Sequence, residues 1–333
     1  MPLTDLSLAD CRAYRPDLPE PPDFDAFWAR TLGESPTAGA NTPDKPVFTP
    51  VDTGLTQIRT YEATVPGFAG LAVHGWLQLP AGSEEPRGCV VEFLGYGRGR
   101  GLPHEHLRWA CAGYAHLVMD TRGQGWSAAA GATPDTDAGA AGTVPGFLTR
   151  GIESPETYYY RRVFTDAVRC VEALREHPEI DPGRIVVAGV SQGGGIALAV
   201  AGLVPGLAGV LPDVPFLCNI PRGAEIAHRP PYTEIAEYLR LHHDRTEAAF
   251  STLSYFDAAL FAARATAPAL FSVAMMDEIC PPSTCFTAYH HYAGPKDVRV
   301  YAFNGHEGGA AHQQREQLAW AGALFDGPPL PRT

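Results

Sequence analysis

The sequence contains no run of about 18 apolar residues, the length a membrane-crossing helix needs, so no segment reads as a span. Met1-Pro2-Leu3-Thr4-Asp5-Leu6 lacks a positive stretch followed by an apolar core, so no secretory leader is expected there. Positive charge is scarce: 25 Lys and Arg stand against 37 Asp and Glu, a net charge of −12, with no basic cluster as a local exception. That balance excludes a polyanion such as nucleic acid as the main partner and suits a neutral or cationic small substrate. C-x-x-C spacing is missing too. The seven cysteines (11, 89, 111, 170, 218, 280, 285) form an odd set, several inside apolar runs where a free thiol behaves as a small hydrophobe. A reducing cytoplasm is the expected location. No H-E-x-x-H exists: His306-Glu307-Gly308-Gly309-Ala310 lacks the second histidine, and His104 and His106 on a helix would face different ways, so no metal is expected.

What is present describes a globular enzyme-sized chain, 45% hydrophobic and 19% charged over 333 residues, long enough to bury a sizeable core. Cys89–Leu94, His116–Asp120, Ile185–Ala188, Ala269–Val273 and Val298–Tyr301 are short apolar runs separated by helix-length stretches, the pattern of buried parallel strands. Thr56–Val65 and Leu71–Leu79 alternate around Pro66-Gly67-Phe68-Ala69-Gly70, which predicts an antiparallel hairpin at one end of the sheet. The expected fold is α/β, a mostly parallel central sheet with helices on both faces, as a single domain over 1–333. Within it, 1–33 reads as an N-terminal extension ending in a short helix at Phe24–Arg30. Residues 127–150 read as a low-complexity surface excursion, and 213–250 as an insertion near the site. The clearest helix is expected to start at Ser154-Pro155, run through Val163, Phe164, Ala167, Val168, Val171 and Leu174, and end near Asp181-Pro182-Gly183.

Between the run Arg184–Ala188 and the small-residue stretch Gly194–Ala199 lies Gly189-Val190-Ser191-Gln192-Gly193. This is G-x-S-x-G in its required setting, a strand turning sharply into a helix, where only residues without a Cβ fit beside the serine. Ser191 is the candidate nucleophile. A hydroxyl needs a base to take its proton, and the base needs a carboxylate to hold its tautomer. His306, between glycines at 305 and 308 and directly after the last expected strand, has the best position of twelve histidines. Asp277 follows the preceding strand and is the candidate acid, ahead of its neighbour Glu278 and of Asp257, which lies in a helix-like stretch. Acyl transfer also needs donors for the developing oxyanion: the amide of Gln192 and one from the Tyr96 region of the loop Gly95–Gly101 fit. That loop resembles a dinucleotide loop only superficially, because Pro103 and His104-Glu105-His106 interrupt the turn into a helix, so no cofactor is expected. Arg122 and Gln124, after the strand His116–Asp120, read as structural support across loops.

Three motifs, Arg122-Gly123-Gln124, Gly189-Val190-Ser191-Gln192-Gly193 and His306-Glu307, together resemble the acetyl xylan esterase and cephalosporin C deacetylase family, carbohydrate esterase family seven, of the α/β-hydrolase fold. The stretches Gly101–Glu105, Met276–Pro282 and Tyr292–Lys296 are similar to it as well. The resemblance implies Ser191, Asp277 and His306 as triad, with the Tyr96 and Gln192 amides as oxyanion hole. It also implies a ring-like homohexamer, and activity on acetyl groups of short xylo-oligosaccharides and of cephalosporin C. Pro231-Tyr232 is similar to the family's pocket-lining Pro-Tyr, which makes Tyr96 and Pro231 the candidate substrate contacts. The alternatives are a general short-chain carboxylesterase and a non-catalytic scaffold of the same fold.

Overall fold

The computed structural model describes residues 3–34, 43–82, 88–135 and 144–326. Nine strands form one sheet: β1 (Val47–Val51), β2 (Ile58–Pro66), β3 (Ala72–Pro80), β4 (Cys89–Phe93), β5 (Ala115–Met119), β6 (Ile185–Val190), β7 (Gly209–Asp213), β8 (Ala269–Ala274) and β9 (Lys296–Tyr301), in the order β1-β2-β3-β5-β4-β6-β7-β8-β9. The first three pair antiparallel, β3 joins β5 antiparallel, and β5 through β9 are parallel. The strands divide their side chains between two cores. Cys89, Val91 and Phe93 of β4 enter the larger one, with the helices Tyr159–Arg175 and Gln192–Leu203, while Val90 joins Trp109, Val186, Leu211 and Ala321 on the other face. Alternation at period two therefore buries both faces, as a parallel sheet demands. Among the described residues no helix is long and apolar enough to cross a membrane.

The expected hairpin is β2–β3 and the five expected parallel strands are present, but β1 and β7 were not anticipated. Both carry a proline, Pro50 and Pro212, which argues against a strand from sequence alone. Pro50 sits on an edge strand, where a missing N–H costs little. The long helix begins at Tyr159 and ends at Arg175, later and earlier than the sequence predicts. Ser154 caps a turn instead: its hydroxyl donates to Glu156, and its carbonyl accepts from the Thr157 and Tyr158 amides. The helix start is set by Tyr158, Tyr159 and Tyr160, all fully buried, whose hydroxyls donate to Leu148 O, Arg122 O and Gln192 Oε1.

Residues 127–150 run mostly at the surface where they are described, with Ser127, Ala128, Ala130, Gly131, Ala132, Pro134, Val144 and Pro145 exposed, and 136–143 lie outside the described residues, but the segment is anchored from within. Thr133, Asp135, Phe147 and Leu148 are buried. Low complexity here reflects close packing: a Cβ at Gly99 would lie 2.1 Å from Gly131 N, and the Gly99 and Gly101 amides donate to Ala129 O and Ala130 O. Those loop glycines thus admit the chain's own backbone rather than a ligand. In the N-terminal extension the helix Phe24–Gly33 is pinned by Phe24, Phe27 and Trp28, the last donating Nε1–H to Tyr255 O at 2.9 Å.

Candidate active site

β6 delivers Ser191 at the turn into the helix Gln192–Leu203, with φ 59° and ψ −117°. A residue with a Cβ adopts this conformation only at a cost of roughly 1–3 kcal/mol, sustained by the structure around it. Its amide donates to Asp213 O and its carbonyl accepts from Gly195 and Phe216, so the turn is fastened from three sides. The flanking glycines are steric necessities. A Cβ on Gly189 would lie 2.2 Å from the Gly193 carbonyl carbon, and one on Gly193 only 2.0 Å from Phe93 O. Ser191 is 4% exposed, and its Oγ lies 3.8 Å from the sulfur of Cys280.

The loops after β8 and β9 are tied together by Met275 N–H to Tyr301 O and Met276 N–H to Asn304 O. This places Asp277 Oδ2 2.8 Å from His306 Nδ1. The other carboxylate oxygen accepts from the Ile279 and Cys280 amides at 2.8 and 2.9 Å, so Asp277, fully buried, cannot rotate away. Glu307 accepts from Asn304 Nδ2 and Gly305 N and braces the histidine loop. The partner of Nδ1 is an acceptor, which fixes the proton there and leaves Nε2 as the basic nitrogen of the neutral ring. Asp277, Cys280 and His306 are also the one group among the described residues whose ligand atoms lie near enough, within 4.8 Å, to hold a metal ion. Burial pushes the Cys280 thiol up well above its ordinary range. A protonated thiol beside a hydrogen-bonded Asp–His pair is a poor ligand set.

The Tyr96 loop and the start of the serine's helix are joined through Gln124. Its Oε1 accepts from Gly97 N at 2.7 Å, and its Nε2 donates to Gln192 Oε1 at 2.8 Å, while Gln192 Nε2 donates to Leu94 O. The Tyr96 and Gln192 amides donate to no acceptor among the described residues. They stand at the end of β4 and at a helix N-terminus, where backbone N–H groups and the helix dipole favour negative charge. Tyr96 itself is clamped: its hydroxyl donates to the Glu234 carboxylate and accepts from Phe147 N. Burial, then the Glu234 charge, push that phenol above its ordinary range, so it stays protonated. Glu234 was not anticipated from the sequence, and no local pattern marks it, because its partner lies far away in the chain.

Ser191, His306, Tyr96 and Pro231 line one cavity of about 660 Å³. Asp277 stands behind His306, and Gln192 is fully buried at the helix start. Tyr232 does not reach this cavity: it is fully buried, and its hydroxyl bonds the backbone of Cys218. The alternative acids are placed elsewhere. Asp257 caps the helix Ala258–Ala262 and accepts from Asn219 and Ile220, with burial pushing its carboxyl up to about 6. Glu278 turns its backbone oxygen to His228 N. The insertion meets the site through Pro230, Pro231 and Glu234.

The acetyl xylan esterase (AXE1) family profile matches residues 1–324. Among solved structures, the acetyl xylan esterase from Paenibacillus sp. R4 is 38% identical, covers 96% of this chain and 99% of its own, and superposes with a TM-score of 0.87. Acetyl xylan esterase 1 from Thermoanaerobacterium sp. JW/SL YS485 is 30% identical, with 97% and 100% covered and a TM-score of 0.86. The curated acetyl esterase Axe7A of Xylanibacter ruminicola is 26% identical over 310 residues, 88% of this chain. The chain spans 65% of that relative's length.

Proposed function

Because the chain belongs to the acetyl xylan esterase family and has the α/β-hydrolase fold, we propose that it is a carboxylic ester hydrolase removing acetyl groups from small acetylated compounds through Ser191, His306 and Asp277. The observation that carries the reading is the hydrogen bond of Asp277 to His306 Nδ1 beside a strained serine opening on the same cavity. In this mechanism rotation about the Ser191 Cα–Cβ bond turns Oγ from Cys280 to His306 Nε2. Oγ attacks the acetyl carbon as Nε2 takes its proton, and the carbonyl oxygen becomes an oxyanion held by the Tyr96 and Gln192 amides. The intermediate collapses, the C–O bond to the alcohol breaks, and Nε2 returns the proton to the departing oxygen. Water then attacks the acetyl-serine with His306 again as base, releasing acetate. Asp277 stabilises the imidazolium throughout.

The preference for acetyl rests on what surrounds Oγ. Tyr96 is immobilised by Glu234, Pro231 is rigid, Ile279 lines the cavity, and the Cys280 sulfur is already in contact. Such walls reject added methylenes, whereas an open site gains up to about 0.8 kcal/mol, roughly fourfold, from each one buried. On a series of 4-nitrophenyl esters, kcat/KM is expected to be highest for acetate and to fall by propionate or butyrate. A rise from acetate to hexanoate would make the protein a general carboxylesterase, and no turnover of any ester would leave the scaffold reading.

Acetylated xylo-oligosaccharides and cephalosporin C enter as substrates through the family resemblance, as does a closed homohexamer. Light scattering at micromolar concentration is expected to show six copies; a monomer with full activity would refute that assembly. A cytoplasmic location is supported by seven cysteines that are all free, six of them buried.

A further inference from the structure

The insertion meets the active site through one side chain whose bonds reach beyond the Tyr96 phenol. Glu234, partly buried in the first turn of the helix Thr233–Leu241, accepts on its carboxylate from the Tyr96 hydroxyl at 2.7 and 2.9 Å, from Gly146 N at 3.2 Å and from Leu148 N at 3.1 Å. Its own amide donates to Pro231 O at 3.0 Å. Tyr96 and Pro231 are two walls of the cavity at Ser191, so one residue is bonded to both, to the first by its side chain and to the second by its backbone. Tyr96 depends on this hold. Its flanks are fastened, Gly97 N–H to Gln124 Oε1 and Arg98 N–H to Gly95 O, but among the described residues neither the amide nor the carbonyl of Tyr96 has a hydrogen-bond partner. The Tyr96 ring meets Trp126 edge to face at 5.2 Å, and Trp126 stacks on Phe147 at 5.3 Å. The aromatic contact therefore rests on the same 146–148 stretch that Glu234 grips at Gly146 and Leu148.

We propose that Glu234 is the positioning residue that sets the acyl-length limit of this hydrolase: it holds the Tyr96 ring and Pro231 against the acyl side of Ser191, and without its bond to the phenol the ring tilts away and a longer chain fits. The inference rests on the acetyl-esterase reading and names the side chain that enforces it. Glu234 touches no reacting atom and acts only through the two walls. A carboxylate suits the place, because its two oxygens offer about four acceptor sites and three donors converge on it. An amide there keeps an oxygen for the phenol but turns its N–H groups toward Leu148 N–H, so Tyr96 stays held and only a loop bond is lost. Tyr96→Phe does the reverse, freeing the ring while both loop amides stay on Glu234.

The test is the ratio of kcat/KM for 4-nitrophenyl acetate to that for 4-nitrophenyl butyrate, measured on one sample of the full chain. The ratio cancels the folded fraction, so a merely structural role does not move it. Glu234→Ala and Tyr96→Phe are each expected to lower it about tenfold or more, since two methylenes admitted and buried are worth roughly fourfold each. Glu234→Gln, which keeps the acceptor for the phenol, is expected to retain the wild-type ratio even if it melts lower. A wild-type ratio in both folded Glu234→Ala and Tyr96→Phe overturns the proposal and leaves the acetyl reading standing. So does a ratio lost as fully in Glu234→Gln as in Glu234→Ala, because the bond to Tyr96 is then not what matters. A wild type that does not favour acetate fails the acetyl reading and takes the proposal with it. If Glu234→Ala does not fold, Tyr96→Phe, which loses one oxygen and leaves the 146–148 stretch bonded to Glu234, decides alone.

Discussion

Ser191→Ala is expected to lower kcat for 4-nitrophenyl acetate by about 10⁴-fold or more while leaving the protein folded. The substitution removes only Oγ, whose described contact is Cys280 at 3.8 Å, and keeps the Cβ in the same backbone conformation, so no packing is lost. In the proposed mechanism the loss of Oγ leaves the Tyr96 and Gln192 amides and His306 in place but no group to carry the acetyl. His306→Ala should fall to a similar level, and the double variant should be little worse than either single one, because groups acting as a unit are not additive. Steady-state rates with circular dichroism on each variant check this. Folded Ser191→Ala protein with turnover near that of the wild type would remove Ser191 from the mechanism.

Arg122→Met is expected to destabilise the fold by about 3–5 kcal/mol, the cost of leaving a buried charge without its partner. Arg122 is 1% exposed, and its Nε and Nη2 grip Asp166 at 2.6 and 2.8 Å. Asp166 in turn accepts from Phe68 N, which holds the β2–β3 turn. On the other side Nη1 lies 3.7 Å from Asp135, itself bound by Arg162. Three segments distant in sequence therefore meet on one guanidinium, and its loss strands a carboxylate in an apolar interior. For a chain of this size the melting temperature should drop by roughly 4–7 °C. Arg122→Met combined with Asp166→Leu should recover much of the loss, because apolar partners of similar volume can replace a buried pair. A single variant melting with the wild type would mean that the network contributes nothing net.

Both expectations involve residues visible in the sequence, for a physical reason. Ser191, Asp277 and His306 each follow a strand directly, so a strand pattern and chain order suffice to place them at one end of the sheet. Arg122 and Gln124 could be placed there as well, and as supports, although their partners could not. Harder to read were features decided by distant contacts. β7 carries Gly209 and Pro212 and looks like a turn, yet it is held between β6 and β8 on both sides. The helix expected at Ser154 starts at Tyr159 because three tyrosine hydroxyls find acceptors across the core, which outweighs a good local cap. The alanines and glycines of 127–135 looked unstructured because small residues pack against the Gly95–Gly101 loop by backbone alone. Glu234 on Tyr96 joins residues with no periodicity to announce them.

The central claim is that an acetyl group passes through Ser191 Oγ. Wild-type protein mixed with 4-nitrophenyl acetate, quenched in acid within milliseconds and digested, should yield the Ser191 peptide heavier by one acetyl group. The modified fraction should form before steady-state release of acetate and be absent from Ser191→Ala. An acid quench that finds turnover but no acetyl on that peptide, or finds it on another residue, would contradict the account.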